Sequence, residues 1–268
     1  MKEMAMLYDI ERCTACRACM VACKQWHGLP AEKEAFDGEF QSHKDLTANT
    51  YTLIKMNERV DDQGKLINWD FCKVQCMHCG DAGCLNGCPT GAISRKASGA
   101  VVIDHDICVG CGYCTVNCPF GIPKINEETH KSHKCDLCFD RIEEGMIPSC
   151  AQTCTGQCLK WGTLEEITEM ANARLEELKA KYPNANIYGT NLPGVKNTHK
   201  IYVLPEKPST YGFPENPTVN SATNLWRDVI KPVGKVVAAG SLVGAAGMLL
   251  LHTINKSTED EGGTHHAD

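Results

Sequence analysis

Apolar and polar residues alternate over positions 5–10, where Ala5, Leu7 and Asp9 fall on one side and Met6, Tyr8 and Ile10 on the other, and this predicts a strand at the start of the chain. A second strand is predicted over 50–56 and a third over 66–71, with a polar turn at 61–64, so the pair reads as a hairpin. A shorter hairpin follows, from 91–94 through a turn at 97–99 into 100–104. Residues 163–182 carry the helical period: Leu164, Ile167, Ala171, Leu175 and Leu178 share a face, and Thr163 with Glu166 has the spacing of a capping box. Residues 201–204 read as a strand, and 205–217, with four prolines, as an extended wrapping segment. The pattern then changes. From Val236 to Leu251 there are 16 consecutive uncharged residues, flanked by Lys235 and His252. At 1.5 Å per residue that run spans roughly 24 Å, and with its flanks it reaches across a hydrocarbon core of ~30 Å. Gly240 and Gly244 give it a small-xxx-small pattern that permits close helix packing. The acidic, glycine-containing stretch from Ser257 is expected to be disordered.

The composition changes this picture at one point. The chain has 268 residues, a formal charge of −6 and 18 cysteines. That charge leaves no basic footprint for nucleic acid. The cysteines do not form a disulfide framework, because all but two fall into groups with metal-ligand spacing. Residues 1–12 lack the apolar stretch of a secretory signal, so the chain alone is expected to stay in the cytoplasm unless a signal-bearing partner exports it already folded.

Cys108, Cys111, Cys114 and Cys118, followed by Pro119, form a C-x2-C-x2-C-x3-C-P run, the spacing of bacterial 4Fe–4S ferredoxins, in which the fourth Cys serves a different cluster from the first three. Cys13, Cys16, Cys19 and Cys23 repeat the spacing without the proline. Cys76, Cys79, Cys84 and Cys88 follow it with one longer gap and with Pro89, while Cys135, Cys138, Cys150 and Cys154 have a long second gap. The inner two groups match each other and the outer two are diverged, which reads as an internal duplication. Structural zinc is the alternative, but zinc sites favour two separated C-x2-C pairs rather than uninterrupted runs. Cys72 and Cys158 are left over and read as small buried hydrophobes, with Cys158 close enough to Cys154 to compete as a ligand. His78 reads as packing, Trp26 and Trp69 as core, and Lys124, Lys134 and Arg141 as solvated surface that could also raise cluster potentials. No nucleophile–base set, phosphate loop or carboxylate pair is found, so no catalytic site is expected.

The layout resembles the iron–sulfur β subunits of membrane-bound molybdenum or tungsten oxidoreductases, and within them those of respiratory formate dehydrogenase. The residues that carry this lie at 22–26, 76–79, 110–120, 134–138, 194–204 and 225–232. The resemblance implies an α+β fold of two ferredoxin-like lobes, each holding two 4Fe–4S clusters, with a C-terminal transmembrane helix. One lobe would be 1–71 with 123–160 and the other 72–122; a helix and wrapping segment would follow at 161–231, the membrane helix at 232–255 and the tail at 256–268. Carried over residue by residue, cluster 1 takes Cys13, Cys16, Cys19 and Cys154; cluster 2 takes Cys23, Cys135, Cys138 and Cys150. Cluster 3 takes Cys76, Cys79, Cys84 and Cys118; cluster 4 takes Cys88, Cys108, Cys111 and Cys114. Cys154 departs from the family, lacking the following proline. The implied role is a non-catalytic wire of four 4Fe–4S clusters. It would run from a formate-oxidising molybdenum or tungsten pterin subunit to a membrane cytochrome b subunit, packed on the Gly240/Gly244 helix, and on to quinone. The cysteine groups alone would fit dimethyl sulfoxide, polysulfide or nitrate reductase subunits. The alternative is the equivalent subunit of a quinone-linked hydrogenase or of a polysulfide, thiosulfate or dimethyl sulfoxide reductase, and a zinc-stabilised membrane scaffold is the reading from another class. The resemblance implies an inner-membrane anchor with the cluster domain in the periplasm. Arg227, Lys231 and Lys235 before the helix, against Lys256 after it, point to the cytoplasm instead.

Overall fold

The computed structural model describes residues 2–32, 35, 38–40 and 43–261, with the side chains of Trp226 and of 252–261 excepted. The elements in order are β1 (Met4–Asp9), α1 (Ala18–Trp26), β2 (Thr52–Val60), β3 (Leu66–Gln75), α2 (Gly83–Asn86), β4 (Ile93–Arg95), β5 (Val101–Ile103) and α3 (Tyr113–Val116). They continue with β6 (Lys124–Ile125), β7 (Ser132–His133), α4 (Phe139–Glu143), α5 (Ser149–Gln152), β8 (Leu159–Thr163), α6 (Leu164–Lys179), β9 (Asn186–Tyr188) and β10 (Lys200–Leu204). Two units are distinguished, Met1–Asn220 and Ser221–Asp268, the second holding α7 (Ser221–Leu225) and α8 (Lys231–Glu261).

A four-stranded sheet, in the order β8-β1-β10-β9, organises the first unit. β1 lies at its centre, antiparallel to β8 and parallel to β10, with Met6 opposite Lys200 and Tyr8 opposite Tyr202. The two-residue period then sorts the side chains. Ala5, Leu7, Ile201 and Val203 pack under Ile167, Ala171 and Leu178 of α6. Met6, Tyr8, Tyr202 and Leu204 point the other way, into a core shared with the cysteines. The capping box of α6 forms in both directions: the Glu166 amide donates to Thr163 Oγ1, and the Thr163 amide donates to the Glu166 carboxylate. Arg174 on α6 donates to Asp9 at 2.7 Å and to Glu11 at 2.6 Å, tying the helix to the end of β1.

Both predicted hairpins form, as β2–β3 and β4–β5, and the first extends past its predicted end at Phe71 to Gln75. The proline segment is not extended throughout. A 3-10 turn over Pro208–Tyr211 closes on Gly212 at φ +75°, and it carries Tyr211 and Phe213 into the core. Trp26 is a correction: it is exposed, its indole N–H reaching Asp140 and its face covered by the Arg141 guanidinium at 4.3 Å. In the second unit a π-turn over Trp226–Ile230 precedes α8, next to Pro232, which lacks the N–H an α-helical register would need. α8 is one helix long and apolar enough to cross a membrane. It runs on to Glu261 instead of fraying at Ser257, since no glycine or proline intervenes before Gly262; residues 262–268 of the expected tail lie outside the described residues.

Candidate metal centres

Each cysteine group sits on a tight loop with one shared backbone feature. The residue before the second Cys is left-handed in all four: Ala15 at φ 54°, His78 at 48°, Gly110 at 66° and Leu137 at 67°. Two positions further on, Arg17 and Gly112 repeat it in the first and third groups. Successive left-handed turns aim backbone N–H groups into one concavity, which suits an anion. At Gly110 no side chain is tolerated, because a Cβ there would sit on the His130 carbonyl oxygen. Gly110→Ala is therefore expected to displace the loop, cost several kcal/mol and lower the iron count per chain by about four. Thermal melting and iron analysis on the purified variant check this, and wild-type values for both would contradict it.

The loops bring the cysteines together across the sequence. Cys13, Cys16, Cys19 and Cys154 line one cavity of about 320 Å³, with Tyr8 and Cys158. Cys23, Cys135, Cys138 and Cys150 line a second, of about 290 Å³, with Lys73 and Lys200. Cys76, Cys79, Cys84 and Cys118 line a third, of about 330 Å³, with His78 and Lys134. Of the remaining four, Cys108, Cys111 and Cys114 share one loop, where the Ser132 amide donates to Cys108 Sγ and Ser132 Oγ lies 3.1 Å from Cys114 Sγ. Cys88 follows α2, and α2 packs on α3, which carries Cys114. That close packing depends on Gly83, where a Cβ would meet the Asn117 carbonyl oxygen.

The four sets also neighbour one another in order. Cys19 lies within electrostatic reach of Cys150, Cys135 of Cys76, and Cys84 of Cys114. The terminal sets reach the surface: Cys16 and Cys111 are exposed, whereas all four cysteines of the second set are buried. Around Cys111 the surface is apolar, with Ile107, Val109, Tyr113 and Val116 exposed.

Burial pushes the thiol pKa of Cys19 and Cys84 up to about 12 and that of Cys135 and Cys118 to about 11. Free thiols here would stay neutral, and only a cation bound among them would draw off their protons. Four sulfur donors around each of three cavities fit an iron–sulfur cube held by thiolates.

Several residues differ from the sequence reading. Cys72 is buried, as expected, but Cys158 is more than a packing residue. Its Sγ lies 3.3 Å from Cys154 Sγ and it lines the first cavity. Its thiol hydrogen-bonds to Cys13, which holds the Cys13 thiol below its usual range and pushes that of Cys158 up. His78 is fully buried; its Nδ1 accepts from the Val101 amide, and its Nε2 has no partner among the described residues. Lys134 and Arg141 are buried rather than solvated. The sequence reading missed Lys73 and Lys200 altogether, although the alternation of β10 puts Lys200 on the same side as Tyr202, toward the cysteines.

Residues 67–164, which carry three of the four cysteine groups, match the 4Fe–4S dicluster domain family. The nitrate-inducible formate dehydrogenase iron-sulfur subunit of Escherichia coli (strain K12) is 39% identical over 273 residues, covering 98% of this chain and 90% of that protein. The chain belongs to the formate dehydrogenase iron–sulfur subunits. A Haemophilus influenzae member of this family is 38% identical, over 98% of this chain and 85% of its own length. A thiosulfate reductase electron transfer subunit from Salmonella typhi is 34% identical over 61% of this chain and 78% of its own. Full-length similarity to iron–sulfur subunits removes the zinc scaffold as a reading and agrees with the lack of a catalytic constellation.

Proposed function

We propose that this chain is the electron-transfer subunit of a membrane-bound formate dehydrogenase, holding four 4Fe–4S clusters between a catalytic pterin–metal subunit and a membrane cytochrome b subunit. The observation that carries it is the ordered run of four cysteine sets, buried in the middle and open at each end through Cys16 and Cys111. A bound 4Fe–4S cluster takes up and returns single electrons at a potential set by its surroundings. The protein's part is to hold, separate and dry the clusters. Cys13, Cys16, Cys19 and Cys154 would hold the first, and Cys23, Cys135, Cys138 and Cys150 the second. Cys76, Cys79, Cys84 and Cys118 would hold the third, and Cys88, Cys108, Cys111 and Cys114 the fourth. In each set most of the ligands come from one loop and the rest from another, as the spacing of two-cluster ferredoxins requires.

In this reading 1–71 with 123–160 form one two-cluster lobe and 72–122 the other. The left-handed residue repeated in all four loops supports the duplication. The apolar rim of Ile107, Val109, Tyr113 and Val116 suits a buried contact with the membrane subunit. α8 would anchor the chain in the inner membrane, packing Gly240 and Gly244 against the partner's helices; an added Cβ would meet nothing at either position, so the face they share is open. The cluster domain would lie in the periplasm, exported with its partner.

Formate is the discriminating donor. Added to anaerobic membranes bearing the full chain, it is expected to bleach the broad iron–sulfur absorbance, and the purified chain should carry about 16 iron atoms. Full iron without bleaching would move the assignment to another donor, with the thiosulfate reductase relative naming the first to try. Low iron with stoichiometric zinc would overturn it.

A further inference from the structure

Three lysines are buried among the cysteines: Lys73 is 0% exposed, Lys200 1% and Lys134 6%. No carboxylate among the described residues pairs with any of them. Lys73 donates to Thr52 Oγ1 and Gln75 Oε1, and Lys134 to the Val101 and Cys135 carbonyls. Among the described residues Lys200 has the Met6 thioether alone, at 3.1 Å. A buried ammonium without an anion costs several kcal/mol, so charge of the opposite sign is expected beside these groups. Two of the three, Lys73 and Lys200, line the cavity of Cys23, Cys135, Cys138 and Cys150. Lys134 lines the next cavity and reaches back to the Cys135 carbonyl. Asp136, a carboxylate beside the second set, faces His27 at 3.4 Å and accepts the Cys138 amide, and its charge also reaches Lys134. Beside the terminal sets lie Arg17 and Lys131, both part-exposed and therefore screened by water, and Lys73 also reaches Cys13 and Cys19 of the first set.

The cluster assignment above supplies the missing anion, since four thiolates around a 2+ core leave a net charge of about −2, becoming about −3 on reduction. We propose that Lys73 and Lys200 are the resident counter-cations of the cluster held by Cys23, Cys135, Cys138 and Cys150, and that they make it the most readily reduced of the four. This inference rests on the proposed wire and adds to it the site where electrons collect. Each buried positive charge favours the reduced, more negative state, and low local dielectric enlarges the effect. The two lysines act through charge and position; neither is a ligand.

The test is potentiometric titration of the full complex followed by electron paramagnetic resonance. Cys138→Ser marks the second set by altering or removing its signal. In the wild-type complex that signal is expected to be the first to reduce as the potential is lowered. Lys73→Met and Lys200→Met are each expected to lower its reduced-to-oxidised ratio at the wild-type midpoint at least about tenfold, equal to 59 mV for one electron, and the double variant further. Lys73→Arg should restore the wild-type midpoint, and Lys179→Met on the surface of α6 should move nothing. Unchanged midpoints in methionine variants with full iron would overturn the proposal and leave the wire intact. If the methionine variants do not assemble, the order of reduction in the wild-type complex decides: a second-set signal that is not first to reduce overturns it. A wild-type chain that binds no iron would instead bring down the wire itself.

Discussion

Removing the iron from this chain is expected to unfold Met1–Asn220 rather than leave an empty shell. Cys19, Cys23, Cys76, Cys79, Cys84, Cys135 and Cys150, all buried, would lose the group their side chains converge on. Lys73, Lys134 and Lys200 would at the same moment lose the cluster charge beside them, at several kcal/mol each. A whole domain is worth about 5–15 kcal/mol, so three such losses together are of the size that holds it folded. Treating the reduced protein with a strong iron chelator should abolish the cooperative thermal transition seen by circular dichroism and open the β2–β3 hairpin to protease. A chelated chain that still melts cooperatively near the loaded midpoint would show that the polypeptide core stands without its metal.

Truncation after Asn220 is expected to move the chain from the membrane pellet to the supernatant with its iron retained. The basis is the surface of α8, where Val236, Val237, Leu242, Val243, Met248, Leu249, Leu250 and Leu251 are all exposed. At ~25 cal/mol per Å² of apolar surface removed from water, such a helix favours a lipid environment by far more than the few kcal/mol that a hundredfold partition requires. The one interior hydroxyl, of Ser241, is satisfied within the helix by donating to the Val237 carbonyl at 2.9 Å. Ultracentrifugation of membranes after a high-salt wash, with iron counted in both fractions, reads the outcome. A truncated chain that still pellets would place the attachment elsewhere, the apolar rim around Cys111 being the next surface to alter.

The cysteine runs, both hairpins and the capped helix could be read from the sequence because each is a local pattern: a spacing, an alternation, a turn, a cap. What escaped was set by distant pairing. Lys73 and Lys200 look like ordinary strand lysines until β10 lies beside β1, which turns Lys200 inward with Tyr202, and until β3 is seen to run on to Gln75 opposite Thr52. Lys134 and Arg141 read as solvated for the same reason. The glycines at 110 and 112 announce left-handed backbone, but Ala15, Arg17, His78 and Leu137 adopt it without that signal, because the loop's closure imposes it on whatever residue is there. Cys158 was weighed as a spare ligand from its spacing; only the fold shows it meeting both Cys13 and Cys154. Lys200 carried one usable clue, as a charge at an inward position of a strand whose other residues are all apolar or aromatic.

The parallel pairing of β1 with β10 sets a schedule for making the protein. Leu7 sits opposite Ile201, so the first strand cannot be completed until almost two hundred later residues have left the ribosome. At about 5–20 residues per second this is on the order of 10–40 s. Through that interval Tyr8, which closes one wall of the first cysteine cavity, has no β10 to hold it. The nascent chain therefore stays open at that site during most of its synthesis, giving the cell's cluster-loading machinery a window that shuts when the last strand of the sheet arrives.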